Sequence, residues 1–283
     1  MVDKKLPKNT WFDREFSPIE MLYEALDIWG ENVQGIFTTW LAKQTTCEFM
    51  VWHQVEELYT THQVTQKESK YSIKGNLLHN RLAFGTDESP INEFSDGPSF
   101  PQWKNFDNLK EYQGNRLQNV HDNKITEYSL AGEIEGLKIR GTFDAFELET
   151  GTLLEYKTRA KPTIPYIHER KNKMQLLIYY FLLKDYNKEL NNENFPVDTL
   201  SDYAKLKYFY QETEELLGEY VIHVPYEKQR FLKSIRSYKE FWMGERKPRF
   251  NLKYCFYCIY KEQCYYHNRY YRTNSRRNGA RKK

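Results

Sequence analysis

Residues 141–159 read GTFDAFELETGTLLEYKTR, and residues 171–180 read KNKMQLLIYY. Asp144 precedes a short turn, and Glu155, Tyr156 and Lys157 follow it on what reads as a second strand. Glu155 and Lys157 are two apart, so a strand puts both side chains on one face. Asp144, near the end of the partner strand, can converge on Glu155. Two carboxylates offer hard oxygen ligands for Mg²⁺ or Mn²⁺, with substrate phosphate and water filling the remaining positions. A metal held this way lowers the pKa of bound water and clamps a phosphodiester. Lys157 would orient that water or neutralise charge in the transition state. An E-x-K strand also serves as a plain solvated, ion-paired face. Asp144, however, sits between Phe143 and Ala145, and a carboxylate amid apolar neighbours needs a cation.

His79 lies four residues after Gly75 on a predicted helix, in KGNLLHNRL. The bland reading is a half-buried core histidine. The chemical one is an imidazole ligand that suits Mn²⁺ and completes a His-Asp-Glu site. The other six histidines fit no comparable pattern. Gln175 and Tyr179 share a helix face at i, i+4, as a polar edge or as part of the same site.

The four cysteines are Cys47 and the compact set Cys255, Cys258 and Cys264, spaced C-x2-C-x5-C. A thiolate triplet of this kind needs one more ligand, and Cys47 is the only thiol left to supply it. Four thiolates suit tetrahedral zinc or a cubane iron–sulfur cluster. One distant cysteine plus a triplet leans toward the cluster, because structural zinc more often pairs two short knuckles. Either group would join the two ends of the chain.

Local signals place these residues on an α/β framework, a small mixed sheet flanked by helices. Ser17, Pro18 and Glu20 form a capping box that opens a helix over 17–29. Helical patterns follow over 34–43, from Cys47 to about 59, and over 67–83. The stretch 85–123 turns polar and reads as a long loop or insertion. Strands are expected over 125–132, 136–146 and 152–158, with turns at Glu135-Gly136 and Thr150-Gly151. A helix over 165–185 comes next, then helices over 203–216 and 226–243, before the cysteine triplet.

Composition sets the limits. The 283 residues are 40% hydrophobic and 29% charged, with a mean hydropathy of −0.84. This is enough apolar content for a core, with no run long enough to span a bilayer. The N-terminus lacks the apolar stretch of a secretory signal. An intracellular protein follows, cytoplasmic, nuclear or mitochondrial, and one domain over 1–283 is expected. Its parts would be an N-terminal helical part (17–60), a core (67–185, with the insertion near 86–123), a C-terminal helical part (203–267) and a tail (268–283). The net charge of +3 hides seven basic residues and no acid after Glu262, which leaves the body at −4. Such a tail can track a phosphate backbone or simply solubilise the chain.

The ordered set Gly75-x3-His79, Asp144, Glu155-x-Lys157 and Gln175-x3-Tyr179 resembles the RecB-like branch of the PD-(D/E)XK nuclease superfamily. Cys47 before that core and the triplet behind it look like its iron–sulfur members: exonuclease V, the CRISPR spacer-adaptation nucleases and AddB-type nuclease domains. Cys47-Glu48, Lys157-Thr158-Arg159 with Pro162 and Pro165, and Trp242-x-Gly244-Glu245-Arg246 leading to Cys255 resemble exonuclease V in particular. The similarity runs from about residue 17 to 267. It implies a restriction-endonuclease-like core in which His79, Asp144, Glu155 and the carbonyl of Tyr156 ligate Mg²⁺ or Mn²⁺. Lys157 is then the catalytic lysine, Gln175 positions it or the scissile phosphate, and Tyr179 supports it or touches the DNA. Cys47, Cys255, Cys258 and Cys264 would hold a structural 4Fe–4S cluster. The implied activity is exonucleolytic cleavage of single-stranded DNA by a two-metal-type mechanism in repair or genome maintenance. A monomer is expected, with a single-strand-binding protein or helicase as partner and Trp52, Trp103 or Trp242 stacking on bases. A CRISPR-adaptation nuclease and a non-catalytic iron–sulfur DNA-binding protein are the alternatives.

Overall fold

A computed structural model of the chain describes residues 16–28, 35–61, 70–86, 122–164, 166–186, 197–255 and 258–269. Helix α1 (Pro18–Ile28) begins at the capping box: the Ser17 amide and hydroxyl both donate to Glu20 Oε2, at 2.7 and 2.6 Å. Strand β1 (Ile36–Phe37) runs directly into α2 (Thr38–Gln44), followed by α3 (Glu48–Thr61) and α4 (Lys70–Phe84). Three strands follow, β2 (Lys124–Ile134), β3 (Leu137–Glu147) and β4 (Thr152–Arg159). Helix α5 (Tyr166–Phe181) continues as a π-helical turn (Leu182–Tyr186). Strands β5 (Tyr203–Tyr210) and β6 (Leu216–His223) precede α6 (Val224–Trp242) and the short α7 (Leu252–Cys255).

The sheet is mixed. β3 is its long central strand, antiparallel to β2 along its length, parallel to β1 near its start and antiparallel to β4 near its end. β4 pairs in parallel with β5, and β5 antiparallel with β6. The parallel β4–β5 pair needs a crossover, which α5 supplies. Glu135 and Gly136 both take positive φ, 53° and 76°, as a two-residue hairpin turn requires.

Two expectations change here. Residues 34–43 are not one helix, because Ile36 and Phe37 pair with Ile139 and Arg140 on β3. Residues 203–216 form a strand and the start of its hairpin partner, not a helix. In YAKLKYFY the inward side chains Ala204, Leu206 and Tyr208 alternate with more exposed neighbours. That is the period of two that a half-buried strand shows. The polar segment 87–121, Trp103 and the basic tail from 270 onward lie outside the described residues. No helix among the described residues is long and apolar enough to cross a membrane.

Leu154 and Tyr156 on β4 pack with Ala145 and, from α4, Leu82. Glu155 and Lys157 have the opposite parity and turn toward α5, where Tyr179 lies within reach of the Glu155 charge. The β3–β4 hairpin is therefore clasped between α4 and α5.

Candidate active site and cysteine pocket

The β3–β4 ladder stops at Ala145 and Leu154. Beyond that point the Asp144 side chain takes the place of a backbone partner: the Tyr156 amide donates to Asp144 Oδ2 at 2.5 Å. The two strands thus splay where the carboxylates stand. Helix α4 reaches the same point because residue 75 is glycine. A Cβ there would sit 2.7 Å from both Thr158 Oγ1 and Gln211 Nε2. One turn on, His79 Nε2 lies 3.0 Å from Asp144 Oδ1 and Nδ1 lies 3.3 Å from Glu127 Oε1.

Glu127 is absent from the sequence reading. It lies on β2 between Thr126 and Tyr128, which pair with Ala145 and Phe143, and so it stands opposite Asp144. Counting back from the Glu135-Gly136 turn gives the same partner, so hairpin register was the signal that could have found it. Its φ of 49° is rare for a non-glycine residue inside a strand. Strain of this kind costs about 1–3 kcal/mol and gathers at functional sites. Donor atoms of His79, Glu127 and Asp144 all lie within 4.8 Å of one another, which suits a metal ion.

Glu155 is fully buried, and Lys157 Nζ donates a hydrogen bond to its Oε1. Its other oxygen, Oε2, is buried without a hydrogen-bond partner. Burial and the nearby Asp144 push the Glu155 carboxyl up to about 8, against the pull of Lys157. Burial opposes ionisation of Asp144 too, but His79 and Lys157 hold it below the usual carboxylate range. Burial likewise disfavours charge on His79, yet Asp144 and Glu127 raise it to about 9. Lys157 is held protonated by Glu155 and Asp144 despite its burial. On α5, Gln175 Nε2 donates to the Tyr179 hydroxyl at 3.1 Å. Both are buried, and burial raises the Tyr179 phenol well above its ordinary value.

The four cysteines, all free thiols, line one small cavity between the start of α3 and the C-terminal segment. Burial, with the other thiols nearby, pushes Cys255 up to about 12 and Cys258 to about 11. His53, on the wall of this cavity, lies near enough to Cys264 to help hold that thiol below its ordinary value, and stacks on Tyr260 at 5.6 Å. The sequence reading assigned His53 no role. Only the return of the C-terminal segment onto α3 brings it there.

Beside Cys47, Glu48 is almost fully buried and accepts both Arg246 guanidinium nitrogens at 2.6 Å. It also accepts the Arg249 amide at 2.6 Å. Trp242, fully buried, donates to Gln44 at 2.9 Å and stacks on Trp40. Trp52 is 2% exposed. Neither tryptophan is free to stack on a base. The core needs them, and the expectation that they touch DNA is corrected.

A mixed sheet flanked by helices, with acids and a lysine on a splayed central hairpin, is the restriction-endonuclease-like core. The chain belongs to the PD-(D/E)XK nuclease superfamily, which its sequence matches over residues 39–265. No curated protein matches the chain. Among solved structures it is similar to SSO0001, at 21% identity and a TM-score of 0.41, over 87% of this chain and 94% of that one. It is also similar to a candidate exonuclease from Eubacterium rectale, at 11% identity and a TM-score of 0.48, over 81% and 87% of the two chains. Both TM-scores lie below 0.5, so membership rests on the sequence match.

Proposed function

We propose that the protein is a metal-dependent exodeoxyribonuclease of the exonuclease V kind, which shortens single-stranded DNA from an end and carries a structural 4Fe–4S cluster. The observation that carries this reading is the convergence of His79, Glu127 and Asp144 beside the buried Glu155–Lys157 pair. The orphaned Oε2 of Glu155 supports it, because a buried carboxylate oxygen without a partner is costly unless a cation meets it. His79, Asp144 and Glu155 would hold Mg²⁺ or Mn²⁺, joined by Glu127 and the Tyr156 carbonyl. These donors exceed what one hydrated octahedral ion takes, which favours the two-metal form of hydrolysis. When bound, the metal supplies a nucleophilic water and offsets charge on the phosphodiester.

The chain's own groups do the rest. Lys157 remains an ammonium, so it acts on the phosphate as a cation and not as a base. Lys157 shares its strand face with Glu155 and would stand beside the bound metal, facing the substrate. Tyr179 stays protonated, and with Gln175 it fixes the α5 side of the site.

The four cysteines gathered on one cavity support a group held by thiolates. One distant cysteine plus a compact triplet supports a cluster over zinc, since structural zinc more often pairs two short knuckles. A role in DNA repair or genome maintenance follows from the proposed activity.

End-labelled single-stranded and duplex DNA, incubated with anaerobically purified protein and Mg²⁺, Mn²⁺ or EDTA, tests the reading. Metal-dependent shortening of single strands from an end, abolished in Asp144→Ala and Lys157→Ala while DNA binding persists, is expected. Cleavage retained by either variant would sink the site assignment.

A further inference from the structure

Helix α5 is a wall shared by two spaces. Lys171, Gln175 and Tyr179, spaced at i, i+4 and i+8, run along the side that faces the catalytic hairpin. Arg170, Lys173, Met174 and Leu177, on the adjacent side, line a groove of about 550 Å³. The opposite wall is one face of α6, with Glu227, Arg230, Phe231, Ser234 and Tyr238 at helical spacing, and the groove closes against residues 249–251. Its described lining carries four basic side chains, Arg170, Lys173, Arg230 and Arg249, and one acid, Glu227. Glu227 is already taken by Lys173, whose Nζ lies 2.7 Å from it. The three arginines are exposed, and their charge is left without an acid in the groove.

Past the Lys173–Glu227 pair the groove meets a second depression, lined by Tyr220, His223 and Tyr226. Tyr226 is 84% exposed, and its ring centroid lies 4.3 Å from that of His223. A large aromatic this exposed buries almost nothing for the fold, and the histidine beside it holds it in place. Arg249 donates to the Ser237 hydroxyl at 2.6 Å, a neutral partner that leaves its charge uncompensated. Cations without an acid, followed by an open aromatic platform, are what a single strand needs: charge for its phosphates and a π-face for an unstacked base. A duplex would offer the platform no open base.

We propose that this groove, from Arg170 past Arg230 and Arg249 to Tyr226, is a second single-strand-binding segment that grips nucleotides outside the metal site. The inference rests on the nuclease reading and deepens it, assigning the grip on the strand to residues that take no part in hydrolysis. Arg230 and Arg249 contact phosphates, and Tyr226 stacks on a base.

The test is fluorescence anisotropy of the full chain in EDTA, with labelled oligothymidylates of about 4 and about 16 nucleotides over a range of salt. Each lost phosphate contact on a single strand lowers the salt slope by about 0.7. Arg230→Gln/Arg249→Gln is expected to lower the slope for the long strand by about 1.4 and weaken its binding about tenfold or more. Tyr226→Ala is expected to weaken it about fivefold or more with the slope unchanged. The short strand's affinity and the melting temperature should stay as in the wild type. An unchanged slope in the double variant, or equal losses on both strand lengths, overturns the groove while leaving the nuclease reading in place. A wild-type protein that neither binds nor cuts any oligonucleotide overturns the nuclease reading, and the groove with it.

Discussion

Metal binding at the candidate site should expel protons, in a number the structure supplies. His79 is raised to about 9 and Glu155 to about 8, so near neutral pH both carry a proton in the metal-free protein. A ligating imidazole must be neutral and a ligating carboxylate ionised. Asp144, held below its ordinary value, is already ionised and contributes none. Calorimetric titration of Mg²⁺ at about pH 7, in buffers of different ionisation enthalpy, should therefore report about two protons released per site. Each pH unit below a ligand's pKa costs about tenfold in affinity. From about pH 7 to about pH 9 the His79 penalty of about a hundredfold and the Glu155 penalty of about tenfold both lift. The sign is fixed: affinity rises with pH, by up to about a thousandfold. Glu155→Gln should halve the proton count, and so should His79→Ala. A proton count near zero, with affinity flat across that range, would refute the assignment of these two groups as ligands.

Three further outcomes are expected. Glu48→Ala removes the buried carboxylate that accepts Arg246 and the Arg249 amide, leaving Arg246 with Glu240 and the Ser237 carbonyl, and should cost about 1–3 kcal/mol in unfolding free energy, read by denaturant titration; a loss within the error of the method would show that the pair contributes nothing. Gly75→Ala drives a methyl into Thr158 and Gln211, costing about 1–3 kcal/mol. Because His79 rides one turn further along α4, metal affinity should fall more than stability does; wild-type affinity would separate α4 placement from the site. Cys255→Ala should leave the anaerobically purified protein without its brown absorbance and lower its melting temperature, since the cluster joins distant segments; a brown or equally stable variant would exclude that role.

Short-range patterns were legible in this chain because their physics is local. The capping box at Ser17, the turn at Glu135-Gly136 and the helical spacing of Gln175 and Tyr179 each depend on residues within a turn or two, and each appears where expected. The E-x-K pair on one face of β4 is of the same kind. Residues 203–216 show where local reading fails. Their alternation is weak against a background of lysine and tyrosine, and only pairing with β4 and β6 decides for strand.

By itself, the sequence determined the chemistry available: which acids, which lysine, which histidine and which four thiols the chain can bring to bear. Tertiary structure decided the company they keep. Glu127 becomes a donor because hairpin register sets it opposite Asp144. Trp242 and Trp52 go to the core, and Glu48 finds Arg246 across 198 positions of chain. His53 meets Cys264 only when the last segment folds back on α3. Glu127 apart, whose partner follows from a local turn, such meetings depend on chain closure over long separations, where the entropy of bringing segments together is repaid only by the whole packed core. No window of sequence contains that information.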